Sequence, residues 1–311
     1  MSTNEIRIGS RGSALAVAQA RLVVDALERQ GRPTRLVIVE TDGDRRAPDT
    51  AWGEGAFVAA IERALLDGRV DVAVHSAKDV PTDQDPRLGI VAYLPRADPR
   101  DALVVRSDAT ERRLADLPAG TRVGTDSPRR TGFLLAARPD LAVHPLHGNV
   151  DTRLRRLDGG ETDALVLACA GLDRLGLGNR IVERIEAEII PPAPGQGAIA
   201  VQMGRDDGAM LASVAAMDDR RTRQVVEAER AFLGASGGGC RAPIGALATI
   251  RGDEFELLGG WVDTDGSSSV ISGRRGPVES AGRLARELAA ELDSRTHLRS
   301  TFSRDEAASP R

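Results

Sequence analysis

One order of strand and helix patterns occurs twice in succession, and this repeat constrains the fold more than any other feature. The first copy begins with a strand pattern at residues 6–8 and a turn at 9–13. Apolar residues then recur at helical spacing at Leu15, Ala18, Leu22 and Ala26. The copy continues with a strand at Leu36–Val39, a helix through Phe57, Ile61, Ala64 and Leu65, and a mostly buried strand at Val70–Val74. Strands that alternate with helices predict a parallel α/β sheet.

The second copy begins near Asp101 and ends in a buried strand at Ala164–Ala168. Between them lie strands at Ala102–Val105 and Arg122–Gly124, a helix at Pro128–Arg138, a strand opening at Ala142, and a helix carrying Val150, Leu154 and Leu157. The buried strands of the two copies end alike, at Val70–Ser76 and Asp163–Cys169. The pattern therefore predicts two analogous α/β domains.

The composition changes beyond about Asp218. A proline-rich connector at 191–197 comes first, and the strand pattern at Ala198–Met203 is expected to return to the first sheet. A small α+β domain is then predicted from a helix at Thr222–Leu233, strands at 247–250, 255–259 and 270–272, and a helix at Val278–Leu292. We expect domain 1 at 1–98 plus 197–217, domain 2 at 99–196, domain 3 at 218–300 and a disordered tail at 301–311.

Bulk composition excludes several classes of protein. A formal charge of -4 argues against general attraction to nucleic acid or to an anionic membrane. No apolar run approaches the roughly 20 residues that cross a bilayer. The opening residues lack an export pattern, so we expect a cytoplasmic protein whose Cys169 and Cys240 are free thiols. No metal-ligand spacing surrounds Cys240, and no metal site is predicted. Cys169 is expected inside an apolar strand, where it packs as a small hydrophobic residue.

Three turns place hydroxyl or arginine side chains where a strand gives way to a helix: Ser10–Ser13, Thr125–Arg130 and Asn149–Arg153. Backbone N–H groups at a helix start, with arginines beside them, favour carboxylate or phosphate. The alternative is that Ser, Asp and Asn are simple helix caps and the arginines are solvated. Repetition at one sheet edge, where open α/β folds bind ligands, favours an anion site.

Two further places carry reactive groups. The segment 75–79 follows a buried strand, and Asp79 can act as a general acid or base or can stabilise a cation. Adjacent Lys78 and Asp79 also suit an ordinary surface pair, and His75 suits a buried structural role. Cys240 follows three glycines, where a thiolate can be a nucleophile or an attachment point, or simply an incidental loop cysteine.

Nine segments in chain order resemble the porphobilinogen deaminase family, and together they cover nearly the whole chain. They are IRIGSRGSALAVAQA (6–20), HSAKDVP (75–81), RADPRDAL (96–103), VGTDSPRR (123–130), HGNVDTRL (147–154), AGLDRLGL (170–177), PAPGQGA (192–198), AERAF (228–232) and GGGCRAPIGA (237–246).

The resemblance implies two α/β domains like those of type II periplasmic binding proteins and a third domain that carries a cofactor cysteine. It implies a transferase of tetrapyrrole (haem) biosynthesis that condenses four porphobilinogen molecules on a dipyrromethane held by a thioether to Cys240, through linear oligopyrrole intermediates, in a monomer. Asp79 matches the catalytic aspartate. The residues expected to bind substrate and cofactor carboxylates are Arg11, Ser13, Ser76, Lys78, Thr125, Ser127, Arg129, Arg130, His147, Arg153 and Arg174.

The sequence also departs from the family pattern. His147 stands where arginine is usual, which weakens one carboxylate contact or makes it dependent on pH. Asp42, Glu54 and Asp126 add acids near a site for polyanions. These departures motivate an alternative, a divergent paralogue that binds or senses an anionic ligand without turnover. An exported solute-binding protein is disfavoured by the opening residues.

Overall fold

The computed structural model describes residues 5–40, 58–111, 113–205, 208–239 and 242–296. The positions Asp42 and Cys240, the segment 51–55 that contains Glu54, and the predicted tail 301–311 lie outside these described ranges.

Thirteen strands are found in the described part of the chain. In chain order they are β1 (Ile6–Ser10), β2 (Thr34–Ile38), β3 (Val72–Ser76), β4 (Leu88–Tyr93), β5 (Asp101–Val105), β6 (Arg122–Gly124), β7 (Ala142–His144), β8 (Ala164–Ala168), β9 (Glu183–Ile185), β10 (Ile199–Gly204), β11 (Ile244–Arg251), β12 (Glu254–Val262) and β13 (Ser269–Pro277). The helices there are α1 (Ala14–Glu28), α2 (Ala59–Leu66), α3 (Pro128–Ala137), α4 (Val150–Asp158), α5 (Cys169–Arg174), α6 (Gly208–Ala215), α7 (Arg220–Ala235) and α8 (Ala281–Thr296).

Two five-stranded sheets have equivalent strand orders. The first sheet runs β2-β1-β3-β10-β4, and the second runs β7-β6-β8-β5-β9. In each, three neighbouring strands are parallel and the fourth, β10 or β5, is antiparallel to both of its neighbours. The prediction of two analogous α/β domains is therefore confirmed. The alternation of strands and helices predicted the three parallel strands of each sheet but did not reveal the antiparallel strand beside them.

Helices cover both faces of each sheet and make separate cores. In the first sheet, α1 packs Ala20, Val23 and Leu27 against Ile8 on one face, while α2 packs on the opposite face. The helical spacing noted from Leu15 did predict α1 but not its buried side, since Leu22 is 43% exposed. Each fully buried aliphatic side chain of this kind contributes about 1.5–3 kcal/mol to folding.

Two connectors run side by side between the sheets. The first connector, residues 94–100, leads from β4 to β5, and the second connector, residues 186–198, leads from β9 to β10. Ala97 N donates a hydrogen bond to Gly197 O at 3.1 Å, which fastens the connectors together. Gly197 has φ +87°, and a Cβ there would lie 2.5 Å from Ala97 O. Only glycine allows this close approach.

The C-terminal part is an antiparallel meander of β11, β12 and β13 covered by α7 and α8. Phe232 of α7, Phe255 of β12 and Leu288 of α8 are buried in its core. This confirms the predicted small α+β domain.

The sequence patterns missed four elements, β4, β9, α5 and α6. Cys169 was expected inside an apolar strand, which was wrong: it is the first residue of α5, directly after β8. The expectation that it packs as a small hydrophobic residue is confirmed, since its side chain is buried beside Leu167 and Leu172. Burial raises the pKa of its thiol to about 12.

Candidate functional site: the carboxyl ends of two sheets

Five loops that follow parallel strands carry the predicted site residues. In the first sheet, β1 leads into Arg11–Ser13 and β3 leads into a single 3₁₀ turn at Ala77–Asp79. In the second sheet, β6, β7 and β8 lead into the segments that contain Ser127, His147 and Arg174. The carboxyl ends of parallel strands form the edge at which open α/β sheets bind ligands.

Two serines cap the helices that follow these loops. Ser13 Oγ accepts from Ala16 N at 3.3 Å at the start of α1, and Ser127 Oγ accepts from Arg130 N at 3.4 Å at the start of α3. Pro128 occupies the first turn of α3, where its missing N–H costs nothing. The capping interpretation of both serines is thus confirmed. Arg11 lies half-buried between Ser10 and Ser13, and Thr125 is buried behind Ser127, whose N–H donates to Thr125 Oγ1 at 3.3 Å.

Arg129 and Arg130 share one buried carboxylate. Asp101, the first residue of β5, has no exposed surface and accepts from Arg129 Nη1 and Arg130 Nη2, each at 2.7 Å. Burial by itself would raise the pKa of the Asp101 carboxyl, but the two guanidinium charges outweigh it and hold the pKa far below its usual range. Arg129 also donates to Pro191 O at 2.6 Å, and Arg130 to Val166 O at 3.1 Å. Both arginines are therefore held rigidly at the start of α3.

Gln196 of the second connector joins this arginine pair to the first sheet. It is 1% exposed. Its Nε2 donates to Asp101 Oδ1 at 2.9 Å and to Pro99 O at 2.8 Å. Its Oε1 accepts from Lys78 Nζ at 3.2 Å. A single amide thus links the Lys78 loop, the first connector and the carboxylate that holds the arginines.

The Lys78–Asp79 turn lies against the second connector. A Cβ on Gly195 would lie 3.2 Å from both Ala77 and Lys78 N, so the two segments touch. Burial lowers the pKa of Lys78 to about 8, against the opposing charge of Asp79 and with a further contribution from Arg130. Asp79 is half-buried, and no donor in the described ranges hydrogen-bonds to its carboxylate.

The two residues before this turn, His75 and Ser76, contact glutamine side chains of neighbouring elements. Ser76 Oγ and the buried Gln19 of α1 are within hydrogen-bond distance, at 2.9 Å from Gln19 Nε2. His75 Nε2 lies 3.1 Å from Gln202 Oε1, and Gln202 Nε2 donates to Glu62 at 2.7 Å. Burial lowers the pKa of His75 to about 4, so its ring is neutral near pH 7. This supports the structural interpretation of His75.

Arg153 and Arg174 approach the same region from α4 and α5. Arg153 Nε donates to Gly148 O at 2.8 Å, and Arg174 Nη2 donates to Gly197 O at 2.6 Å. Burial lowers the pKa of each guanidinium to about 10. Neither has a carboxylate within ion-pair distance in the described part of the chain. Both are desolvated cations that form no ion pair with a described residue, which favours binding of an anion.

The two unusual residues of the second sheet meet each other. His147 Nδ1 lies 2.8 Å from Asp126 Oδ1, and both side chains are mostly buried. The contact has the distance of an ion pair but not the geometry of a hydrogen bond.

A cavity of about 40 Å³ lies where the two α/β sheets and the C-terminal part meet. Its lining includes Lys78 of the first sheet, Ser127 and Arg129 of the second, and Pro194 of the second connector. Gly239 and Ala242, which flank positions 240 and 241, line it as well. The two described ends of the segment that carries Cys240 therefore border the same cavity as the cationic residues. Across the described residues, no cluster of three His, Cys, Asp or Glu side chains suits a metal ion.

Comparison with known proteins decides the family. Residues 6–212 match the family described as porphobilinogen deaminase, dipyromethane cofactor binding domain, and residues 223–294 match the porphobilinogen deaminase C-terminal domain. The chain belongs to the porphobilinogen deaminase family. It is 45% identical to a porphobilinogen deaminase of Nocardia farcinica over 92% of this chain and 85% of that one. It is 46% identical to that of Mycobacterium leprae over 90% of each chain, and 45% identical to porphobilinogen deaminase 1 of Streptomyces coelicolor over 94% and 96%.

Among solved structures, the chain has a weak likeness to solute-binding domains. A substrate-binding domain of a putative amino acid ABC transporter from Streptococcus pneumoniae has 15% identity and a TM-score of 0.45, covering 75% of this chain and 94% of that one. A periplasmic substrate-binding protein from Coxiella burnetii has 14% identity and a TM-score of 0.43, covering 68% and 91%. None of the helices in the described ranges is long and apolar enough to span a bilayer.

Sequence reasoning missed three residues that organise this region: Asp101, Gln196 and Gln19. The segments RADPRDAL and PAPGQGA contain the first two, but nothing in a single sequence marks one acid or amide as buried. The role of Gln196 follows from the contact between the second connector and the Lys78 loop, and this contact is visible only in the folded structure.

Proposed function

We propose that this protein is a hydroxymethylbilane synthase, which condenses four porphobilinogen molecules with loss of ammonia on a dipyrromethane attached through a thioether to Cys240. The observation that carries the proposal is the set of buried cations Lys78, Arg153 and Arg174, whose pKa values are lowered because burial outweighs the partial compensation that nearby carboxylates provide. Each pyrrole of such a chain brings two carboxylates, and guanidinium groups bind carboxylates in bidentate fashion.

The division of labour that we propose follows the fold. Domain 1, residues 1–98 plus 197–217, supplies the acid Asp79, and domain 2, residues 99–196, supplies most of the anion-binding side chains. Domain 3, residues 218–300, supplies Cys240, and 301–311 is a tail. The carboxylate-binding residues that we propose are Arg11, Ser13, Ser76, Lys78, Thr125, Ser127, Arg129, Arg130, His147, Arg153 and Arg174.

The residues present fit a dipyrromethane. Lys78, Ser127 and Arg129 line a cavity that Gly239 and Ala242, the described neighbours of the Cys240 segment, also border. The ends of that segment and the cationic side chains therefore meet at one place. When bound, the dipyrromethane supplies a pyrrole carbon that acts as the nucleophile toward substrate.

Asp79 manages the positive charge of the incoming substrate. Loss of ammonia breaks the bond between the methylene carbon and nitrogen, and leaves a cation delocalised over the substrate pyrrole. Asp79, to which no donor in the described ranges hydrogen-bonds, is placed to accept a hydrogen bond from the pyrrole N–H and to stabilise that charge. Lys78 and the arginines hold the substrate carboxylates, which fixes the ring relative to Asp79.

We propose a cytoplasmic monomer whose partners are porphobilinogen and the linear oligopyrrole intermediates, with no nucleic-acid or membrane partner. The net charge of -4 supports the last two points.

The proposal is tested by intact mass and by turnover. The recombinant chain is expected to exceed its sequence mass by one dipyrromethane, and Cys240→Ser is expected to lose this increment while Cys169→Ser keeps it. Asp79→Asn is expected to keep the increment but to slow porphobilinogen consumption about 100-fold, as loss of an acid or charge-stabilising group does. An increment that survives in Cys240→Ser, or near-normal turnover in Asp79→Asn, contradicts the assigned role.

A further inference from the structure

Asp126 lies close to two basic residues of the second α/β domain, His147 and Arg153. Its carboxylate is 2.8 Å from His147 Nδ1. Its charge also acts on the guanidinium of Arg153. Burial and the nearby Arg130 lower the pKa of Arg153, and Asp126 partly offsets this effect. Asp126 comes two residues after the end of β6 and directly before Ser127, which lines the cavity described above.

Two carboxylates of the protein, Asp101 and Asp126, thus lie beside the basic residues of the second sheet. They differ in how far solvent or a ligand can reach them. Asp101 has no exposed surface and is enclosed by Arg129, Arg130 and Gln196. The Asp126 side chain keeps 17% of its surface exposed, and no backbone N–H in the described ranges donates to it. Asp101 is thus part of the scaffold, whereas Asp126 lies at the rim, where a ligand carboxylate would arrive.

A ligand carboxylate and Asp126 would compete for the same position beside the Arg153 guanidinium and the His147 imidazole. His147 and Arg153 offer favourable positions to one negative group, and a second one placed nearby meets like-charge repulsion. Without any ligand, His147 Nδ1 already lies 2.8 Å from Asp126 Oδ1.

We propose that Asp126 is a resident carboxylate that occupies one anion position of the site and thereby sets how tightly, and how many, substrate carboxylates are held. The inference rests on the proposed function, because it takes porphobilinogen as the ligand. Asp126 is then a specificity-determining residue that weakens polycarboxylate binding and leaves the chemistry at Asp79 untouched.

The test separates KM from kcat. Asp126→Asn keeps the volume of the side chain and removes its charge, and the KM for porphobilinogen is expected to fall about fivefold with kcat unchanged, the effect of one partly screened charge. Asp126→Ser is expected to act in the same direction, which covers a failure of the first variant to fold. Asp151→Asn is the matched control, since Asp151 is an exposed acid in the first turn of α4 and its removal changes the net charge equally.

The outcomes are distinguishable from failure of the proposed function. An unchanged or higher KM in both Asp126 variants, or an equal fall in Asp151→Asn, overturns the inference. If the wild-type protein does not consume porphobilinogen, the proposed function fails, and the thermal midpoint with and without tricarballylate, a non-reacting tricarboxylate, decides the inference. A larger increase of the midpoint in Asp126→Asn than in the wild-type protein supports it, and an equal, smaller or absent increase overturns it.

Discussion

Gln196 accepts a hydrogen bond from Lys78 Nζ at 3.2 Å while its own amide donates to Asp101 at 2.9 Å. The lysine is therefore held by a neutral amide, and Asp101 is already committed to two arginines. An ammonium group buried beside a neutral acceptor and near other cations loses stability relative to its uncharged form. Burial of this kind is the main reason that the pKa of Lys78 lies near 8.

The position of Lys78 predicts how carboxylate binding depends on pH. Because burial lowers the pKa of Lys78 to about 8, the free protein carries the ammonium below that pH and loses it above. A bound carboxylate favours the charged form, so affinity is constant below about pH 8 and falls as the pH rises through the interval between the free and bound pKa values. We expect the KM for porphobilinogen to rise roughly tenfold across that interval, as loss of a charge-assisted hydrogen bond implies.

Lys78→Arg is the decisive comparison, since arginine stays protonated throughout this range. The KM of the variant, measured over the same pH series, is expected to lack the alkaline rise. Ionisation of the substrate affects both proteins equally and cancels in the ratio. A rise of equal size in Lys78→Arg would show that another group is responsible.

Much of the architecture could be predicted, because both copies of the α/β pattern have long, regular elements. The strand ending at Ala168 and the helix beginning at Pro128 were predicted at or near their observed bounds. The missed strand β9 has three residues, too few for alternation to show. The face of α1 was missed since alanine and leucine occur all around that helix, and only packing decides which side is buried.

The candidate site divides along a similar line. Turns rich in Ser and Arg predicted an anion site at one edge of the sheet, and the structure places these turns at strand ends in both sheets. The proximity of Asp126 to His147 could not be predicted, because it depends on the parallel pairing of β6 with β7 across a gap in sequence. The partners of Arg129 and Arg130 were hidden for the same reason: Asp101 lies on β5, which enters the second sheet from the first connector.

Glu229 of α7 predicts a large effect on stability. It is fully buried, forms two hydrogen bonds with Arg96 of the first connector at 2.7 and 3.0 Å, and accepts from Gly195 N of the second connector at 2.7 Å. Glu229→Gln leaves the buried guanidinium without its counter-ion, and we expect the free energy of unfolding to fall by about 3–5 kcal/mol. Urea titration followed by tryptophan fluorescence measures this, since the buried Trp261 of β12 reports on the same domain.

Glu227→Gln provides the control on the same helix. Glu227 is exposed and pairs with Arg223 one turn earlier, so its loss is expected to change the free energy of unfolding by no more than about 0.5 kcal/mol. Equal losses in the two variants would mean that burial of the Glu229 pair has no special role in holding the connectors.

Gly197 allows a steric prediction about the crossing of the connectors. Gly197→Ala combines a left-handed backbone, φ +87°, with a Cβ that would lie 2.5 Å from Ala97 O. Gly31→Ala has a similar φ of +73° with no atom within 4 Å of the new Cβ, so it measures the backbone cost alone, about 1–2 kcal/mol. Because Gly197→Ala must also push the connectors apart, we expect it to lower the free energy of unfolding by about 1–3 kcal/mol more than Gly31→Ala.

The same displacement moves Gln196 relative to Lys78, so turnover is expected to fall in Gly197→Ala and to stay normal in Gly31→Ala. Matching losses of stability, measured by urea titration of both variants, would show that the connectors are not in tight contact at this point.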